Sequence, residues 1–160
     1  MTDVETVSVD LIAHLHSRDE DDSGQQEVAF LKIDVEGVEL SALRSALTLF
    51  AERRVQQALI EFGPSNNWRR SEANNVQGST AKDAVDVLAR IRSFGYAVSV
   101  EDANTKGPLD LNHMPPNNAT RSVACDHSQL QALVAIGASR QCNLFLDRDD
   151  HQICPTFISP

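Results

Sequence analysis

The stretch Phe30-Leu31-Lys32-Ile33-Asp34-Val35-Glu36-Gly37-Val38-Glu39-Leu40 constrains the fold more than any other part of the chain. Residues 29–33 are a short apolar run, broken only by Lys32, of the kind a buried parallel strand needs. Asp34 and Glu36 arrive where that run ends, Gly37 permits a tight turn, and a helical pattern starts at once. Carboxylates at the carboxyl end of a strand, with a helix amino terminus just beyond, describe the ligand edge of an open α/β sheet.

The helical pattern after the turn is carried by Leu40, Leu43, Leu47, Phe50 and Ala51, an apolar stripe suited to lie on a sheet. Glu39 in its first turn suits the positive end of the helix dipole, and Arg53 and Arg54 suit the negative end. Residues 58–62 read as the next strand, with Glu61 near its carboxyl end and Gly63-Pro64 as its stop. Thr80-Ala81-Lys82-Asp83 resembles a capping box with Asp in the Glu place. Ala81, Ala84, Val85, Leu88 and Ile91 then stripe a helix that Gly95 ends, and residues 96–100 follow as a strand. Further on, residues 129–138 read as a short helix capped near Asp126 or Ser128, and 143–146 as the last strand.

The amino-terminal part is plainer. Residues 4–9 alternate apolar and polar and read as a short strand, with Asp10 as the cap of a helix over 11–16. Loops are expected over 18–27, 64–79 and 101–126, the last because Gly107-Pro108 and Pro115-Pro116 forbid regular structure. Asp19-Glu20-Asp21-Asp22 lacks the spacing and glycine of a calcium loop and reads as a solvated insertion. No repeat is present, and the expectation is a single domain over 1–160 with its core at about 6–148.

Charge and cysteines narrow the classes. A net charge of −9 argues against nucleic acid or an anionic membrane as partner, since both need clustered Lys and Arg. No apolar run approaches the ~20 residues of a membrane span. Cys125, Cys142 and Cys154 are odd in number, widely spaced and without a Cys-x-x-Cys, so they read as isolated thiols in a reducing compartment. With no signal peptide read in the first residues, a cytoplasmic location is the expectation. There is no Gly-x-Ser-x-Gly, no Walker loop and no metalloprotease signature.

Lys32-Ile33-Asp34-Val35-Glu36-Gly37-Val38-Glu39, followed by Leu59-Ile60-Glu61-Phe62, resembles the FkbM family of S-adenosylmethionine-dependent methyltransferases. Members carry a Lys-Ile-Asp-Val-Glu-Gly-x-Glu core, then a helix, then a strand ending in Glu. The similarity runs from about Thr6 to Arg148, clear up to Phe62 and weak afterwards. It covers only the second half of the family's domain, and the glycine-rich first strand-turn has no counterpart here. The resemblance implies an α/β fold: the C-terminal half of a Rossmann-like class I methyltransferase sheet, mostly parallel with an antiparallel last strand. It also places the strand at 29–33 beside the missing first strand, at an open sheet edge. The chain is accordingly expected to be a fragment, a truncated product or one partner of a split enzyme, and inactive alone. A complementary N-terminal half or a homo-oligomer is the implied macromolecular partner.

The resemblance implies S-adenosylmethionine as cofactor and a small acceptor, a sugar or metabolite hydroxyl. A hydroxyl is a poor acid, so a base, or a metal that polarises it, is useful. Asp34 and Glu61 are the candidates: either is the base, or the two share a hard cation such as magnesium through oxygen ligands. Lys32, Glu36, Gly37, Glu39 and Trp68 are placed at the substrate or cofactor edge. Lys32 is expected to pair with one of the acids, because an unpaired buried ammonium is costly. Glu36 alternatively caps the helix that Gly37 opens. Trp68 either stacks on a sugar face, with Arg69 or Arg70 reaching polar groups, or lies half-buried under a loop. A non-catalytic α/β remnant, pairing through its exposed sheet edge, stays open beside the enzyme.

Overall fold

Three segments of the chain point their β-strands the same way, and the helices that join them fall on one side. The structure, a computed structural model, describes residues 7–16, 26–63, 80–101, 121–139 and 142–149. In chain order the elements are α1 (Val9–His16), β1 (Val28–Ile33), α2 (Glu39–Ser45), α3 (Leu47–Ala51) and β2 (Val55–Phe62). They continue as α4 (Ala81–Ser93), β3 (Tyr96–Glu101), β4 (Arg121–Ala124), α5 (His127–Ser139) and β5 (Cys142–Arg148).

The sheet order is β1-β2-β5-β3-β4. β1 and β2 are parallel, β5 lies antiparallel between β2 and β3, and β4 is antiparallel to β3. From β1 to β2 to β3 the chain advances in one direction across the sheet, so right-handed crossovers put α2, α3 and α4 on one face. Between β4 and β5 both strand direction and direction of travel are reversed, which returns α5 to that same face. Accordingly α2, α3 and α5 all touch α4.

Period-two alternation assigns each strand residue a side. Ala58, Ile60 and Phe62 of β2, Tyr96, Val98 and Val100 of β3, and Cys142, Leu144 and Leu146 of β5 face the helices. There they meet Leu40, Leu43, Leu49, Phe50, Leu88, Ile91, Leu130 and Val134 in one core. The alternate residues Leu59, Ala97, Ser99 and Phe145 are also buried but point the other way. The Tyr96 ring stands edge-on to Phe50 with centroids 5.1 Å apart, and its hydroxyl donates to the Val55 carbonyl at 2.6 Å.

The α/β class, the antiparallel last strand, the Thr80–Asp83 capping box and the end of α4 at Gly95 (φ 87°) agree with the sequence reading. β5 sits between β2 and β3, so β1, β2 and β3 share one direction and β5 and β4 run against them. Several expectations are corrected. β1 is not buried: only Ile33 of its residues is, because β1 is the outermost strand and Phe30 is 41% exposed. Val7 and Ser8 are not strand; Val9 opens α1, where Val9 and Ala13 pack on the core at helical spacing. Its cap is the Ser8 hydroxyl, which accepts from the Leu11 amide at 3.1 Å.

Asp10 instead accepts from the amides of Thr48 and Leu49, each at 3.2 Å, and so caps α3 from a distance. The single helix expected after Gly37 is interrupted at Ala46 into α2 and α3. Residues 121–124, expected as loop, are the edge strand β4. Cys125 is disulfide-bonded rather than an isolated thiol, and Cys142 is free and buried, so the cysteines no longer support a reducing compartment. Among the described residues, no helix is long and apolar enough to cross a membrane. The acidic run 19–22, Trp68, Arg69, Arg70 and most of the three expected loops lie outside the described residues.

Candidate functional site

The β1–β2 register brings the acids together. Lys32 is opposite Leu59 and Ile33 opposite Ile60, so one step beyond the ladder Asp34 arrives alongside Glu61. Ile60 and Phe62 face the helices, which turns Glu61, between them, to the opposite side of the sheet. Asp34 alternates with Ile33 in the same way and stands on that same side. The two carboxyl groups are close enough to shift one another's titration, Asp34 downward and Glu61 upward. Lys32, two residues before Asp34 and on the same face of β1, donates to Asp34 Oδ2 at 2.8 Å.

The charges at this edge are unequal. Lys32's hydrogen bond holds the Asp34 carboxyl below its usual range, and the bond with Glu61 acts in the same direction. Glu61 is pushed up, first by its hydrogen bond with Asp34, then by burial and the Asp34 charge; Glu36 adds to the rise and Lys32 opposes it. Lys32 is raised by its bond to Asp34. On the far side of Glu61 its register neighbour on β5 is Asn143, which carries no charge.

Beyond Asp34 the backbone turns through two left-handed residues, Glu36 (φ 51°) and Gly37 (φ 107°). Gly37 meets this geometry without a Cβ penalty; Glu36 bears a modest strain. The turn is tied from within by Glu39, whose Oε1 accepts from the Gly37 amide at 2.6 Å. Glu39 is 2% exposed and its Oε2 has no hydrogen-bond partner. The helix cap position belongs to Val38, which makes no side-chain capping bond, so Glu36 does not cap α2.

The structure therefore gathers Lys32, Asp34 and Glu61 into one row on a single face of the sheet, sets exposed Glu36 beside it, and turns Glu39 inward beneath the turn. Trp68 lies outside the described residues. Among the described residues, no group of three or more His, Cys, Asp or Glu side chains is arranged to hold a metal ion. Two neighbours escaped the sequence reading: Phe30, exposed on the Lys32 face of β1, and Asn143 beside Glu61. Alternation along 28–34 signals the first; the second follows only from the β2–β5 pairing, which nothing local encodes.

Carboxyl groups at the carboxyl end of parallel strands can hold a hydroxyl by hydrogen bonds, accept its proton, or sit against a cationic ligand centre. A family model for the methyltransferase FkbM domain matches residues 2–98, which includes β1, the Glu36–Gly37 turn, β2 and α4. No curated protein and no solved structure matches the chain. The matched span is more than half of the 160 residues and contains the whole row of acids; the chain belongs to the FkbM methyltransferase domain family.

Proposed function

We propose that this chain serves S-adenosylmethionine-dependent methyl transfer to a hydroxyl oxygen of a sugar or secondary metabolite, as part of a larger or split enzyme with a Rossmann-like sheet. Membership of the family gives methyl transfer in general. The observation that supports the finer reading is the pairing of Asp34 and Glu61 on one face at the carboxyl edge of β1 and β2. The donor supplies an activated methyl carbon on a cationic sulfur that departs neutral, so the proton of the acceptor hydroxyl is the one left to place.

The residues at the edge fit one end of such a donor. Asp34, Glu36 and Glu61 form an oxygen-rich, anionic rim suited to a positive sulfur and to a hydroxyl that donates. Holding the hydroxyl in line and taking its proton at a carboxylate oxygen are the tasks these side chains perform. Trp68, if brought over this rim, offers an aromatic face to a sugar ring. A glycine-rich strand-turn for the donor's amino-acid end is not found in the sequence, which supports the larger or split enzyme.

A second reading, association through the sheet edge, is favoured by β1 itself. It is outermost in the sheet, and Phe30 and Val35 beside it are 41% and 40% exposed. Natural sheets cover such edges, and a strand from a complementary half or a second copy would do so here.

Transfer of labelled methyl from S-adenosylmethionine to a panel of sugar and metabolite hydroxyls tests the first reading. Asp34→Asn and Glu61→Gln are expected to lose turnover while keeping their far-ultraviolet spectra. Unchanged turnover in both removes the pair from the reaction. Calorimetric binding of S-adenosylmethionine to this chain alone at micromolar affinity would show that no complementary half is needed.

A further inference from the structure

We infer that Glu61, and not Asp34, is the carboxyl that, once ionised, receives the acceptor's proton, with Lys32 as the positioning residue that fixes this assignment by holding Asp34 as the anion. The inference rests on the methyl-transfer reading for its catalytic part, while the choice between the two acids rests on the Lys32–Asp34 contact and on the β1–β2 register that sets Asp34 alongside Glu61. A hydrogen bond between two carboxyl groups contains one proton, because two carboxylates have none to give. The row runs Lys32, Asp34, Glu61, and the ammonium contacts Asp34 Oδ2 at 2.8 Å. Asp34 thus has a cation on one side and a carboxyl on the other, so Asp34 is the acid that stays ionised and Glu61 the one that takes up a proton first.

The surroundings of Glu61 agree. From β1 and its turn it faces Lys32, Asp34 and Glu36, one positive and two negative groups; from β5 its register neighbour is the neutral Asn143. Glu61 is partly buried while Asp34 is exposed, so the cost of losing water also falls on the Glu61 charge. A carboxylate that binds its proton more firmly is the better base, and one locked in an ion pair is the poorer. Asp34 then acts through Glu61: once the acceptor's proton has arrived, the protonated Glu61 can donate it in a hydrogen bond to the Asp34 carboxylate.

Lys32 and Asp34 have opposite effects on Glu61, and this gives a test of sign. The side-chain carboxyl signals of the chain are followed by carbon-13 NMR against pH, with no methyl donor present. In the natural sequence Glu61 is expected to titrate above the ordinary 4.5 and Asp34 below the ordinary 3.8. Lys32→Met is expected to move the Glu61 midpoint upward, and Asp34→Asn to move it downward. A Glu61 midpoint at or below that of Asp34, or movement in the same direction in both variants, overturns the assignment.

The catalytic part has its own readout. In the active enzyme Glu61→Gln is expected to lose about 10²–10⁴-fold in kcat, the usual span for a general base. Asp34→Asn should lose less and shift the rising limb of the pH profile to lower pH. Equal losses in the two variants, with no shift of the limb, would return the base to the pair as a unit. If no methyl transfer occurs at all, the methyl-transfer reading fails while the titration order still stands or falls by itself.

Discussion

The guanidinium of Arg53 fills the space that a side chain at Gly95 would need. Arg53 Nη1 donates to the carbonyls of Phe94 and Gly95 at 3.1 and 3.4 Å, so it caps the carboxyl end of α4. A Cβ built on Gly95 would overlap that same nitrogen, and Gly95 has a φ of 87°. Gly95→Ala is therefore expected to cost about 1–2 kcal/mol from the left-handed backbone alone, with displacement of Arg53 in addition. Urea denaturation measures this, and adding Arg53→Ala should recover none of the backbone part.

The buried hydroxyl of Tyr96 is the second test. Tyr96→Phe keeps the edge-on contact with Phe50 but leaves the Val55 carbonyl at the start of β2 without its donor. Removing one partner of a buried hydrogen bond costs about 1–3 kcal/mol. The denaturation midpoint should fall with an unchanged slope, and a loss near zero would mean that water replaces the hydroxyl.

Glu39 is expected to act on the turn rather than on a ligand. Glu39→Ala removes the acceptor of the Gly37 amide, a hydrogen bond to a carboxylate of the kind that contributes about 1.5–3 kcal/mol. Glu39→Gln keeps an oxygen at that place and should cost less. Hydrogen exchange at the Gly37 amide distinguishes them: it should accelerate strongly in the alanine variant and little in the glutamine one.

Acid should weaken the fold through two helix caps. Thr80 holds the Asp83 carboxyl down, first through its hydroxyl and then its amide, with Arg44 and Lys82 assisting. The Gln129 amide and then the Ser128 hydroxyl do the same for Asp126. Both folded values lie below the ordinary 3.8, so this stabilisation is present above that pH and lost as pH falls through the folded values. Glu61 has the opposite sign: raised in the fold, it stabilises below its ordinary 4.5 and loses that contribution as pH rises through its folded value. Urea midpoints from about pH 6 down to pH 2 should decline at the acid end, less so in Asp83→Asn with Asp126→Asn.

What the sequence disclosed is what local chemistry dictates. The strand at 29–33, the turn at Gly37, the capping box at Thr80 and the stop at Gly95 each need only neighbouring residues, and each is found. Tertiary partners were hidden. Asp10 reads as a cap for its own helix, yet its carboxylate reaches Thr48, 38 residues away. Arg53 reads as a partner for the dipole just before it and instead closes α4, 41 residues on. The break at Ala46 has no glycine or proline to announce it, and β4 is too short to show a period.

The site was legible as residue types and not as contacts. Lys-Ile-Asp-Val-Glu-Gly marks a strand end rich in acids, but Asp34 meets Glu61 only because of the β1–β2 register. The apolar run at 29–33 by itself looks the same at the middle of a sheet and at its margin; the edge position that the family resemblance implied is the one β1 takes.

Because Ile60, Glu61 and Phe62 look alternately inward and outward, the helix-packed core and the acidic row can accept substitutions almost independently. The deletion of a single codon between Val55 and Ile60 is another matter. It would swing Glu61 beneath the helices and expose its apolar neighbours, abolishing core and acidic row together. Within this strand, a one-residue change of length is therefore harsher than a substitution on either face, because it inverts both faces at once.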